Sequence, residues 1–172
     1  NDPDRYAGFA LNTMLGGSMS SRLFQNVREK RGLAYSVFSS LSSYRDAGAF
    51  TVYAGCANES VAELVDVVVQ ELRRMRDQPL AAGELRRAKD HLKGSLMLGL
   101  ESTSSRMSHL ARLAIYDDPE ESLDAMLDAI EQVSDADVAR VAQRVLSPGT
   151  LGLTVLGGVN GLSLKPAALG PL

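Results

Sequence analysis

The chain has 172 residues, 45% hydrophobic and 23% charged, with a formal charge of −3. That size and balance fit one globular domain with its own core, and the acidic total argues against a general nucleic-acid binder. No apolar run reaches the ~18 residues that a membrane-spanning helix needs, and a single cysteine, Cys56, allows no internal disulfide.

The opening "NDPDRYAGFALNTML" reads as a helix. Asp2 is suited to cap it, Pro3 to its first position and Asp4 to its dipole. Tyr6, Phe9, Ala10, Thr13 and Met14 fall on one side, and Gly16-Gly17 stop it. A second helix runs from about Ser20 or Ser21 to Arg31, with Leu23, Phe24 and Val27 as its apolar stripe and Gly32 as its stop. "AYSVFSSLSSY" then alternates, with Tyr35, Val37, Ser39 and Leu41 on one face. "RDAG" signals a turn and "AFTVYAGC" a second strand, so residues 34–56 read as a hairpin. Cys56 ends that strand and is expected to be a buried small hydrophobe.

"ESVAELVDVVVQELRRMRD" repeats apolar residues at helical spacing until Pro79. Residues 82–116 are helical almost throughout, weakest at Gly94, Gly99 and "ESTSS". Asp118 and Pro119 begin a further helix, and Ser134 with Asp137 forms a capping-box pattern for the last one, which ends before Pro148-Gly149. "TLGLTVLG" reads as a closing strand. Residues 159–172 read as a flexible Gly/Pro-rich tail after a domain over 1–158. The fold class is α+β: a two-layer arrangement of a mostly antiparallel sheet covered by several helices. Three strands are thin for so many helices, and the chain begins with Asn1 rather than Met. Both features read as a piece of a longer chain that lacks its first strand. The N-terminus lacks a signal peptide's charged start and apolar core; cytoplasm is the default location, although targeting information could lie upstream.

Little of this sequence carries metal or nucleophile chemistry. His91 and His109 are eighteen positions apart, ~27 Å along an unbroken helix, and belong to no Cys/His cluster. There is no G-x-S-x-G elbow. "GGSMSS" before a helix has the look of an anion nest, but lacks the P-loop lysine pattern; the other reading is a tight joint where glycine permits close packing. The stretch "RLFQNVREKRGLAY" gathers Arg22, Arg28, Lys30 and Arg31. Lys30 and Arg31 suit a helix C-terminus. Arg28 and Tyr35 flank the helix stop, and an Arg fork beside a phenol hydroxyl forms a donor pair for a carbonyl or carboxylate oxygen. A solvated basic patch is the competing reading.

The blocks "LGGSMSSRLFQNVREKRGLAYSVFSS", "YRDAGAFTVYAG" and "ELRRAKDHLKGSLMLGLESTSSRMSHLA" together resemble the M16 metallopeptidase family, the insulinase and mitochondrial-processing-peptidase group. The similarity runs from about Asp4 to Gly158 and is to the second, C-terminal half, without its opening strand. The resemblance implies two homologous α+β halves closing around an unfolded peptide. The first holds zinc on an inverted H-x-x-E-H helix, with a Glu as general base. The second holds no metal and contributes an Arg and a Tyr, here Arg28 and Tyr35, to the substrate backbone and developing oxyanion. No H-x-x-E-H occurs here, so this chain alone is expected neither to bind the catalytic zinc nor to cleave peptides. Ser20, Ser21, Glu101 and Arg106 match the family's blocks and are expected to cap the helix and brace the helical layer. The partners so implied are an N-terminal half or a zinc-bearing subunit and an unfolded peptide, with no nucleic acid or membrane and with self-association open. The alternative is a non-catalytic partner or scaffold subunit of the same family.

Overall fold

The computed structural model describes residues 2–44, 46–116, 122–147, 149, 151–158 and 162. Helix α1 (Arg5–Leu15) is entered through Asp2, whose carboxylate accepts the Asp4 N–H at 2.9 Å. Pro3 and Asp4 form the preceding turn rather than the first helical residues. The helix buries Ala7, Ala10, Leu11, Met14 and Leu15, while Phe9, grouped by the sequence on one side with Ala10 and Met14, is 40% exposed. Phe9 instead sets its ring edge-on to Tyr6. The buried stripe is the one that α1 presents to the first strand and to the helices Glu84–Gly99 and Asp135–Val145.

Strands β1 (Ala34–Ser43) and β2 (Gly48–Cys56) form the expected antiparallel hairpin. The Tyr44 N–H closes its turn on the Ala47 carbonyl at 2.8 Å. Alternation sends Val37 and Ser39 inward, where both are buried. Cys56 is half-buried rather than fully buried. A short turn at Asn58–Ser60 leads into α2 (Val61–Asp77), followed by α3 (Glu84–Gly99), α4 (Thr103–Tyr116), α5 (Leu123–Gln132) and α6 (Asp135–Val145). The break between α3 and α4 falls at the weak point seen in the sequence, where Arg106 donates from Nε to the Leu100 carbonyl at 2.7 Å. Leu11, Leu15, Leu23, Val27 and Val138 are wholly buried and mark the centre of the core.

This is an α+β, two-layer fold, with two departures from expectation. Among the described residues the sheet has two strands. Residues 151–156 of the expected closing strand are unpaired, because a groove separates them from β2 and no described neighbour answers their backbone groups. The expected helix start at Asp118-Pro119 lies outside the described residues. Helix α5 begins at Leu123, where Ser122 Oγ accepts the Ala125 N–H.

The start of α6 is fixed as the sequence indicates. Ser134 donates its N–H and hydroxyl to the Asp137 carboxylate at 2.9 and 2.6 Å, and its Oγ accepts the Asp137 N–H at 3.2 Å. The Ser134 hydroxyl and N–H, then Arg140, hold Asp137 down at about 2. Arg140 also reaches Asp4 at 2.6 Å, which ties α6 to the start of α1. A depressed carboxylate stabilises the fold above its ordinary range, and that contribution is lost as pH falls through the folded value. Asp137→Ala should therefore lower Tm at pH 6, and the difference from the parent chain should close between about pH 4 and 2, read by calorimetry at a series of pH values. Ser134→Ala should cost ~1 kcal/mol near neutrality.

Candidate functional site

The joint after α1 is a packing device. Gly16 and Gly17 both donate their N–H groups to the Asn12 carbonyl, at 3.0 and 2.8 Å, so neither is available to an anion. A Cβ on Gly16 would stand 2.5 Å from the Ser39 nitrogen. In the space that glycine leaves, the Ser39 N–H reaches the Gly16 carbonyl at 3.2 Å, and Ser39 Oγ reaches Asn12 Oδ1 at 2.8 Å. The serines that follow do not cap the next helix as expected. Ser20 faces Ser18 at 3.2 Å, and the buried Ser21 hydroxyl has no hydrogen-bond partner among the described residues.

That next helix, Phe24–Glu29, is wound with i→i+5 hydrogen bonds, a π-turn. The Lys30 N–H reaches back to the Gln25 carbonyl. It ends at Gly32, whose φ of +62° requires glycine. There the Gly32 and Leu33 N–H groups close on the Arg28 and Val27 carbonyls, both at 3.0 Å. The wide turn keeps Val27 fully buried and leaves Arg28, one residue on, exposed.

The four cations of this stretch separate by their partners. Arg22 forms a fork on Glu84 at 2.6 and 2.7 Å. Burial pushes the Glu84 carboxyl up, but the Arg22 fork and the Ala81 N–H more than offset this and leave it below its ordinary value. Lys30 bonds Asn26 Oδ1 at 3.0 Å and Arg31 the Asn26 carbonyl at 2.9 Å. Arg28 lies over the Phe24 ring, 5.0 Å from its centroid, and its guanidinium has no hydrogen bond or ion pair among the described residues.

Four residues, 30–33, separate the π-turn from β1. Tyr35 stands there on a second irregularity. Ala34 pairs with Cys56 and Ser36 with Gly55, so Tyr35 is the extra residue of a β-bulge. The bulge removes Tyr35 from the face of Val37, Ser39 and Leu41, where alternation had put it, and leaves it 72% exposed. Its ring lies against Gly55, where a Cβ would stand 2.7 Å from the phenol oxygen. Further along, Phe38 and Tyr53 pair across the strands with rings stacked at 5.1 Å, and both are about half exposed. The sequence reading missed Gly55, whose position inside a strand is itself a signal of close approach. It also missed the Arg22–Glu84 pair, which spans 62 residues and has no local signature.

Arg28 and Tyr35 thus stand exposed on either side of the junction between the π-turn and β1, one with a guanidinium fork and the other with a phenol hydroxyl, and no hydrogen bond joins them among the described residues. Such donors suit a carbonyl or carboxylate oxygen. Among the described residues no group of three His, Cys, Asp or Glu side chains is placed to hold a metal ion, and no helix is long and apolar enough to cross a membrane. Glu101, expected to brace the helical layer, is exposed just past α3.

Residues 1–92 match the family model described as the peptidase M16 inactive domain. The chain is 45% identical over 145 residues to an uncharacterized zinc protease of Streptomyces coelicolor, covering 84% of this chain and 32% of that one. It is 44% identical over 153 residues to a protein of the same description from Mycobacterium bovis, covering 89% and 35%. It therefore spans about a third of the length of the curated relatives it matches. Among solved structures it superposes on a peptidase M16 inactive domain from Pseudomonas fluorescens with a TM-score of 0.75 and 26% identity, over 83% of this chain and 34% of that one.

The Tyr35–Gly55 contact separates positioning from folding. Gly55→Val needs only the exposed end of the Tyr35 ring to move. Tm should change by no more than about 2–4 °C, the shift of ~1 kcal/mol in a domain this size, while the Tyr35 ring resonances shift in an NMR spectrum.

Proposed function

This chain belongs to the peptidase M16 family, and from that premise we propose that it is the substrate-holding half of a zinc-dependent endopeptidase acting on unfolded peptides. The proposed domain spans residues 1–158, followed by the tail 159–172, and works in the cytoplasm. The described residues offer no fit for zinc. The metal and the general base are assigned to an N-terminal half or partner subunit, and this chain's part is binding and charge stabilisation.

The observation that supports this most is the sorting of the cations. Arg22, Lys30 and Arg31 are held by the fold, whereas Arg28 is left with an aromatic contact and a clear approach from solvent. A solvated basic patch would leave all four to water. Arg28 and Tyr35 also stand on a π-turn and a β-bulge, distortions that are kept where a side chain must be aimed. The Arg28 fork and the Tyr35 hydroxyl donate to a peptide carbonyl oxygen. As that oxygen gains negative charge at the tetrahedral stage, charge-assisted hydrogen bonds to it strengthen, which favours the transition state over the bound peptide.

The test uses the polypeptide extended to the length of its relatives, loaded with zinc, and a quenched unstructured peptide. Tyr35→Phe should lower kcat by about 10²–10³-fold, the scale for losing one oxyanion donor, at unchanged zinc content. Arg28→Ala should lower kcat/KM, and Arg28→Lys should not restore it, because an ammonium lacks the planar fork. Cleavage with both variants fully active would remove these residues from the mechanism. A parent polypeptide that neither holds zinc nor cleaves would replace the enzyme reading by that of a partner or scaffold subunit.

A further inference from the structure

The hairpin has two sides of different character. Its inner side is made by the pairs Val37 with Ala54, Ser39 with Val52 and Leu41 with Phe50, and Val52, Ala54 and Phe50 pack against the core. Its outer side is made by the alternate pairs, Ser36 with Gly55, Phe38 with Tyr53, Ser40 with Thr51 and Ser42 with Ala49. The solvated side of an antiparallel sheet is ordinarily polar. This one carries two aromatic rings, and none of the ten residues of β1 or the nine of β2 is charged. Phe38 and Tyr53 stack at 5.1 Å with their planes 27° apart, and each keeps nearly half of its surface open.

A third ring belongs to the same side. Gly55 pairs with Ser36, one step from the inward Val37–Ala54 pair, so a Cβ on Gly55 would point outward. There it would meet the Tyr35 phenol oxygen at 2.7 Å, which places that ring on the outer side, over Gly55. Gly55 and Tyr53 are two residues apart on β2, about 7 Å along the strand. The Tyr35 hydroxyl and the Phe38–Tyr53 pair therefore stand one two-residue step apart on a single uncharged surface. A cross-strand aromatic pair stabilises a hairpin whatever lies above it, and this accounts for the stacking. It accounts neither for Tyr35, which has no partner across the ladder, nor for the lack of charge.

A second copy laid face to face is too large for this surface. Two strands are about 10 Å wide, and the nine residues of β2 are about 30 Å long. The face thus offers roughly 300 Å², against the ~800 Å² per partner of a stable pair. An extended peptide fits it, because its side chains repeat every two residues at the same ~7 Å step. We propose that the stacked Phe38 and Tyr53 rings form a side-chain subsite for the bound peptide. It takes an aromatic or other large apolar residue, two positions from the carbonyl that Tyr35 holds. This deepens the function proposed above and rests on it for the part of Tyr35. The negative faces of the rings repel a carboxylate, so Asp and Glu are the residues least accepted.

The probes are blocked Gly/Ser peptides carrying one Phe, Leu, Ala, Lys or Asp, moved position by position. Calorimetry measures their binding to the polypeptide extended to the length of its relatives and stripped of zinc with EDTA, so that nothing is cut. At one position Phe should bind about tenfold more tightly than Ala, the scale of one aromatic contact, and Asp more weakly than Ala. Tyr53→Thr keeps a β-branched residue on the strand and should bring the Phe-to-Ala ratio close to one. Tyr53→Phe should keep the ratio, because the ring and not the hydroxyl makes the contact. Phe38→Thr repeats the test from the other strand if Tyr53→Thr fails to fold. The proposal is overturned by the absence of a Phe preference at every position, or by a preference that the Thr variants leave intact. Tightest binding by the Lys peptides, a cation–π preference, would overturn it too. Cleavage of the same peptides by the zinc-loaded polypeptide separates this proposal from the one it rests on. If Tyr35→Phe loses turnover while no position prefers Phe, the ring subsite fails and the oxyanion role stands. If Phe binds on the rings while Tyr35→Phe cleaves at the parent's rate, the subsite stands and the role of Tyr35 fails.

Discussion

The exposed junction depends on how closely α1 approaches β1. With no side chain at Gly16, the end of the helix comes within hydrogen-bond reach of Ser39, and one serine then holds both the Gly16 carbonyl and the Asn12 side chain. Any Cβ at Gly16 would meet backbone, which cannot step aside as a side-chain tip can. That contact fixes where β1 lies relative to the helical layer. The chain between Gly17 and Leu33 must then fold within a set span, with Leu23 and Val27 both buried completely. A π-turn is one way to meet that demand. It absorbs an extra residue while keeping both apolar side chains inward.

The Arg22–Glu84 fork anchors the other end of this segment. Both side chains are largely buried, at 16% and 11% exposure. A pair in that position adds little net stability over well-packed apolar residues, yet removing one partner strands a charge and costs about 3–5 kcal/mol. Its value is geometric. The fork pins the start of the π-turn to the first turn of α3, and Glu84 also holds the Ala81 N–H at 2.9 Å, which orders the approach to α3. Arg22 and Arg28 therefore have opposite roles on one short segment. The first is desolvated and committed to the fold, while the second has its donors unengaged among the described residues.

The helices were legible because their signals are local. Periodicity, the Ser134–Asp137 box and the break near Gly99 need only neighbours in sequence. The hairpin was legible for the same reason, its strands being a short turn apart. Tyr35 shows where local reading fails. Strict alternation puts it with Val37 on the inner face, and a one-residue bulge at Ala34 to Ser36 reverses that. The clue was on the opposite strand, in Gly55, and only pairing reveals that a tyrosine ring needs the space a glycine leaves. The basic cluster illustrates the same limit. Composition counts four charges alike, and only their partners divide them, Glu84 from far along the chain and Asn26 from the turn before.

The segment "LGLTVL" carries that argument to its end. Its composition is that of a strand, and the reading that it is one was sound about the residues. A strand, however, is a relation between two backbones, and intrinsic β preference largely reflects packing against neighbours. A helix closes its hydrogen bonds within itself, so α2 forms whatever lies beside it. Residues 151–156 have no such recourse, and they line a groove opposite an edge of β2 that is equally unanswered among the described residues. The failure of that element is thus informative in a way that its success would not have been. It marks the line along which the sheet is open, and that line ends at Tyr35.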